Sequence, residues 1–268
     1  MPAREFHQAL VEAAAEAARI IMAMYAQDID VSRKPDHSPV TEADRASEEV
    51  ILRHLAKIAP NIPVVAEESV AAGSMPHIVD LFFLVDPLDG TREFISRNGE
   101  FTVNIALVEQ GLPVAGVVLA PAIGRLFATD SEGAYQATLD TRDIAGSLPL
   151  AQQRELHCRG PRSSRLRAVA SRSHRDNETD AYLARHNITD TISAGSSLKF
   201  CLLAAGEADV YPRFGPTMQW DTAAGHAVLR AAGGEVYRAD GEILRYGGSE
   251  LRNPPFIAWR DATTMPPL

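Results

Sequence analysis

Five acidic residues, Asp44, Glu67, Asp86, Asp89 and Asp221, stand where a chain can present carboxylates together. The segment Leu84-Val85-Asp86-Pro87-Leu88-Asp89-Gly90-Thr91 carries two of them. The apolar run 81–85 predicts a strand buried on both faces that ends at Asp86. Pro87 fixes one φ angle and Gly90 permits a tight turn, so Asp86 and Asp89 converge instead of pointing to opposite faces. Two such carboxylates repel each other unless they share a cation. With no His or Cys beside them, hard oxygen donors suit magnesium or manganese and not zinc. Gly90-Thr91 also offers backbone N–H groups to a phosphate at a helix start. Asp-Pro-x-Asp-Gly alone is a common turn composition, in which the acids do no more than cap the turn. The remaining acids shift the balance. Glu67-Glu68-Ser69 follows a short apolar run, Asp44 lies three residues after Thr41, and Asp221 follows Trp220.

These acids need elements to carry them. Residues 4–26 repeat apolar side chains at helical spacing, and a polar loop covers 28–39. A second helix runs to Ile58, capped by Thr41 with Asp44 at its third position. Strands are expected at 63–66 and 81–85, and hairpins at 102–119, turning over 109–113, and at 126–137. The weakly patterned stretch 140–153 suggests a boundary between residues 1–145 and 146–268. Beyond it, strands at 167–171, 191–193 and 208–211 alternate with helices at 176–185, 198–205 and 222–232. Such alternation predicts a sheet covered by helices. The fold class expected is α/β: an α+β N-terminal half and an α/β C-terminal half, with the site between them.

Composition narrows the function. The chain has 268 residues, a formal net charge of -9 and 46% hydrophobic residues. An acidic protein is a poor partner for a nucleic-acid polymer, whose binding needs a basic surface. The apolar stretch 13–26 holds Glu16 and Arg19, so it is too short and too charged to span a membrane. Cys158 and Cys201 read as free thiols in a reducing cytoplasm. Only three of the 26 basic residues are lysine: Lys34, Lys57 and Lys199. Arg bias explains the count, and a lysine that survives it marks a position where a compact ammonium matters.

Glu67-Glu68, Asp86-Pro87-Leu88-Asp89-Gly90-Thr91 and Trp220-Asp221, in this order between Lys34 and about Gly234, resemble the inositol monophosphatase superfamily of lithium-sensitive, magnesium-dependent phosphatases. Four further stretches are similar to its CysQ-type branch, the 3'(2'),5'-bisphosphate nucleotidases. They are residues 92–107, Ser171-Arg172-Ser173-His174, Gly195-Ser196-Ser197-Leu198-Lys199-Phe200 and Tyr211-Pro212-Arg213-Phe214-Gly215-Pro216-Thr217.

The resemblance implies a layered α-β-α-β-α sandwich and hydrolysis of adenosine 3',5'-bisphosphate to AMP and phosphate. Inositol monophosphatase or promiscuous sugar phosphatase activity is the alternative. By the same resemblance, Glu67, Asp86, Asp89, the carbonyl of Leu88 and Asp221 hold two or three magnesium ions, with manganese as a substitute. Thr91 with Asp44, or else Glu67, activates the attacking water. Gly90, Thr91, Gly195, Ser196, Ser197, Lys199, Arg213 and His174 bind substrate, with Lys199 and Arg213 holding the second phosphate. The partner is a small phosphorylated molecule, the location cytoplasmic, and the oligomeric state open, a homodimer included. A catalytically dead binding protein of this family is expected to have lost one of Asp86, Asp89 or Asp221, and all three are present.

Overall fold

The computed structural model describes residues 3–27, 31–33, 39–144, 153–158, 165–171, 176–248 and 250–264. The chain opens with α1 (Ala3–Tyr25), whose face of Leu10, Ala14, Ala18 and Ile21 is buried. A two-stranded antiparallel ribbon, β1 (Val31–Arg33) and β2 (Pro39–Thr41), occupies part of the stretch expected as loop. Three residues per strand are too few for a periodic signal to register. Next comes α2 (Glu42–Ile58), which starts as predicted: Asp44 Oδ2 accepts from the Thr41 N–H at 2.8 Å, and Thr41 Oγ1 accepts from the Ala43 N–H.

The next strand, β3 (Val64–Ala66), runs directly into the short helix α3 (Glu67–Ala71). Strand β4 (Leu81–Asp89) is longer than the sequence suggests, continuing through Pro87 to Asp89 across a register shift. Proline has no N–H for a ladder and is tolerated at such an irregularity. One turn of helix, α4 (Thr91–Ile95), separates it from β5 (Thr102–Glu109). Only Gln110-Gly111 joins β5 to β6 (Leu112–Ala120), so the expected five-residue turn is two residues long. Strands β7 (Arg125–Thr129), β8 (Ala134–Thr138) and β9 (Gln153–Leu156) complete a seven-stranded sheet in sequential order. All its pairings are antiparallel except β3 with β4. Its last strand lies beyond residue 145, where the sequence suggested a boundary.

The second half supplies β10 (Arg167–Ser171), α5 (Asn177–Arg185), β11 (Asp190–Ala194), α6 (Leu198–Ala204), β12 (Val210–Arg213), α7 (Gln219–Ala231), β13 (Glu235–Arg238) and β14 (Phe256–Trp259). Its five-stranded sheet has the order β11-β10-β12-β14-β13. The sequence did not announce β13 and β14, which are four residues each and antiparallel to one another.

Period-two burial shows the layers. On β4, Phe83 and Val85 join the core beneath α1 and α2, whereas Phe82 and Leu84 face the core shared with α6 and α7. On β14, Phe256 and Ala258 face that shared core, and Ile257 and Trp259 pack towards α5. The stack is therefore the expected α-β-α-β-α sandwich, with α6 and α7 as its middle layer. Gly116 lets α7 approach β6: a Cβ there would lie 2.7 Å from the Ala224 carbonyl oxygen. Cys158 and Cys201 are buried free thiols, as expected. Among the described residues no helix is long and apolar enough to cross a membrane.

Candidate active site

A cleft of about 550 Å³ gathers residues from both halves, with Glu67, Asp86, Asp89, Thr91, Arg213 and Asp221 in its walls. Asp86 and Asp89 are three positions apart on one strand, so regular pleating would put them on opposite faces. The register shift between them brings both to the cleft. Asp86 is 2% exposed, and its Oδ1 accepts the Leu88 N–H at 3.0 Å, closing the turn over Pro87. Asn104 Nδ2 donates to Asp89 Oδ2 at 3.3 Å. Leu88 buries its side chain in the core under α1, so what it offers the cleft is backbone.

Glu67 is the first residue of α3. That turn is held by Glu48, whose carboxylate accepts the N–H groups of Glu68 (2.7 Å) and Ser69 (2.8 Å) and the Ser69 hydroxyl (2.5 Å). Glu48 lies four residues after Asp44, on the same face of α2. Asp221 enters from the start of α7, where its Oδ2 accepts the Met218 N–H at 2.7 Å.

Crowding shows in the ionisation of these acids. Burial, then the charges of Glu67 and Glu93, pushes Asp89 up to about 6 against the pull of Lys199. Burial, Asp89 and Glu67 raise Asp221 well above the usual carboxylate range. A cation would remove that strain, and an all-oxygen set suits a hard one. Among the described residues no three or more His, Cys, Asp or Glu side chains are drawn together closely enough to hold a metal ion by themselves. Magnesium keeps several of its waters and takes only one or two carboxylates, so separate donors along one wall fit it.

Beside this wall, Thr91 Oγ1 donates to Asp44 Oδ1 at 3.1 Å. Asp44 is 2% exposed, its other oxygen accepts from the Thr41 N–H and hydroxyl, and burial raises its pKa. Gly90 makes the junction possible, with φ of +91°; a Cβ there would lie 2.3 Å from Ser196 Oγ.

On the substrate side the expected groups have partners within the protein. Ser196 Oγ lies 2.8 Å from the carbonyl oxygens of both Asp89 and Glu100, and Ser197 Oγ donates to the Asp221 carbonyl at 2.5 Å. The Gly195 N–H donates to Glu100 Oε2 at 2.9 Å. These contacts join the segment that carries Ser196 and Ser197 to the segments that carry the acids. Lys199 is 6% exposed, donates to the Ser196 carbonyl at 2.6 Å and lies 5.4 Å from the Tyr211 ring centroid. Burial lowers its pKa to about 8, with Asp89 the strongest opposing influence, so it stands with the acids and not apart from them. Arg213 is buried in the cleft wall, its Nη2 donating to the Pro216 carbonyl at 2.9 Å. His174 lies outside the described residues. Glu48 escaped the sequence reading, though its place at i+4 from Asp44 is a periodic signal, and Glu100 and Asn104 entered it only as part of the stretch 92–107, with no role of their own.

The chain matches the profile of the inositol monophosphatase family over residues 3–263. It is 46% identical over 239 residues to a protein of Salmonella typhimurium named 3'(2'),5'-bisphosphate nucleotidase CysQ, covering 88% of this chain and 92% of that one. The corresponding protein of Escherichia coli K12 is 44% identical at the same coverage. The crystal structure of CysQ from Bacteroides thetaiotaomicron superposes with a TM-score of 0.73 at 40% identity, covering 96% of this chain and 97% of that one.

Proposed function

The chain belongs to the inositol monophosphatase family, and from that premise we propose that it is a magnesium-dependent 3'(2'),5'-bisphosphate nucleotidase. It hydrolyses adenosine 3',5'-bisphosphate to AMP and phosphate. The observation that carries this reading is a single cleft with an acid wall of Glu67, Asp86, Asp89 and Asp221 and, in addition, a buried arginine, Arg213. A monophosphate needs only the first; a bisphosphate needs a second anchor. Arg213 offers a planar fork of donors suited to it.

Members of the family are metal-dependent phosphatases, generally with magnesium. In this reading Glu67, Asp86, Asp89, Asp221 and the Leu88 backbone hold two or three ions, and manganese substitutes. Bound there, the metal polarises the phosphoryl group and lowers the pKa of the attacking water. The protein's part is positioning and proton transfer. Because the Thr91 hydroxyl donates to Asp44, its oxygen is left as an acceptor for a proton of the water. Asp44, buried and with a raised pKa, is a base able to take the Thr91 proton in turn. Glu67 is the competing base. Lys199 offsets the negative charge of the acids, and Gly90 with Thr91 lies beside the reacting phosphate. The same reading makes the protein cytoplasmic and leaves a homodimer to sedimentation analysis.

The test is phosphate release with magnesium from adenosine 3',5'-bisphosphate, inositol 1-phosphate and fructose 1,6-bisphosphate. Preference for the nucleotide, abolished by chelator, is expected. Preference for inositol 1-phosphate would replace the nucleotidase by the inositol phosphatase.

A further inference from the structure

We propose that Ser196 and Ser197 are positioning residues that together set the separation of Asp89 and Asp221. The proposal rests on the reading of those two acids as metal ligands. They come from different halves of the chain, Asp89 from the end of β4 and Asp221 from the first turn of α7. Two adjacent hydroxyls meet their main chains. Ser196 Oγ lies 2.8 Å from the Asp89 carbonyl oxygen, and Ser197 Oγ donates to the Asp221 carbonyl at 2.5 Å. Neighbouring α-carbons are held about 3.8 Å apart by a planar peptide bond. The pair is therefore a short, stiff bar with one acid at each end.

The bar is itself anchored. Residues 90–101, which include Thr91, leave the sheet between β4 and β5. Ser196 Oγ also lies 2.8 Å from the Glu100 carbonyl oxygen, so its one proton is shared between the two stems of that excursion. The Gly195 N–H donates to Glu100 Oε2 at 2.9 Å. On the other side, Lys199 Nζ donates to the Ser196 carbonyl at 2.6 Å.

The backbone of Ser196 is shaped by these contacts. Its φ is +49°, in the left-handed region that serine seldom occupies. Glycine would adopt that angle freely but would bring no hydroxyl. A strained residue persists where its surroundings over-determine it, and such residues cluster at functional sites. Ser197 carries no such strain: its φ is -66°, and it is buried at the start of α6. Groups that hold a ligand from behind set its orientation and the affinity of its metal.

The experiment titrates Mg²⁺ into the substrate-free protein by calorimetry and measures KM for adenosine 3',5'-bisphosphate at saturating Mg²⁺. Ser196→Ala and Ser197→Ala are each expected to weaken Mg²⁺ binding about fivefold, the equivalent of one hydrogen bond. If Ser196→Ala does not fold, Ser196→Gly, which takes a positive φ without strain, replaces it. A bar fails when either end is released, so the double variant should lose little more than the worse single one. Losses that multiply would make the serines two independent supports and overturn the proposal. Unchanged Mg²⁺ affinity overturns it too: with a raised KM the serines are donors to the substrate, and with only a lower Tm they support the fold. The metal site survives those outcomes if Asp89→Asn and Asp221→Asn lose Mg²⁺ binding. If these two variants bind Mg²⁺ as the unaltered protein does, the reading of the acids falls and the proposal with it.

Discussion

Asp86 joins the geometry of the turn to the chemistry of the cleft. It accepts the Leu88 N–H while standing among the proposed ligands. Asp86→Asn is expected to lower turnover by more than the roughly 10- to 100-fold typical of losing a group behind a ligand, measured as phosphate release at saturating magnesium. Thr91 and Asp44 act through one hydrogen bond, so Thr91→Ala and Asp44→Asn should each reduce kcat strongly and the double variant little further. Effects that multiply would instead make Glu67 the base. Arg213→Ala removes a charge-assisted contact of about 1.5–3 kcal/mol. It should raise KM for adenosine 3',5'-bisphosphate roughly ten- to hundredfold while sparing a simple monophosphate. Equal losses on the two substrates would make Arg213 a support for the fold or for the reacting phosphate.

At the level of elements, the acids come from a strand, a helix start after a strand, and two other helix starts, and each was visible as a local pattern. Thr41 before Asp44 and the abrupt polar turn after 81–85 are signals within a few residues of the acid they place. What joins the elements was not visible. The turn after Asp86 was legible in Pro87 and Gly90, but the return of β4 to its partner β5 at Asp89 appears only when the two strands are paired. Ser196 and Ser197 read as phosphate donors because a helix start after glycine has that chemistry; that their hydroxyls also meet carbonyls far away in sequence was not legible. Short strands such as β13 carry too little alternation to stand out. Glu48 illustrates the same limit: nothing near it in sequence announces that it caps α3. Glu48→Ala should cost about 1–3 kcal/mol, the price of stranding buried donors, read as a lower melting temperature. It should also reduce kcat by releasing Glu67.

For the whole molecule, the crowded acids make stability depend on pH and metal together. Asp89 keeps its proton in the folded protein up to about pH 6, whereas the unfolded chain loses it near the ordinary carboxylate value. Between about pH 4 and pH 6 the folded state therefore binds more protons, so this site's contribution falls as pH rises through that window. In the proposed site magnesium would replace the proton as the neutralising charge. Thermal melts should show a larger Mg²⁺-induced rise in Tm at about pH 7.5 than at about pH 5; an equal rise at both would remove the acids from the metal site. The helix that carries Asp221 belongs to both sheets at once. A single methyl group at Gly116 or at Gly225 would meet the carbonyl of Ala224 or the ring of Phe200 at 2.7 Å. The helix can therefore lie only where these two glycines admit it, and Asp221 is held in the cleft by the absence of two side chains as much as by the presence of its own.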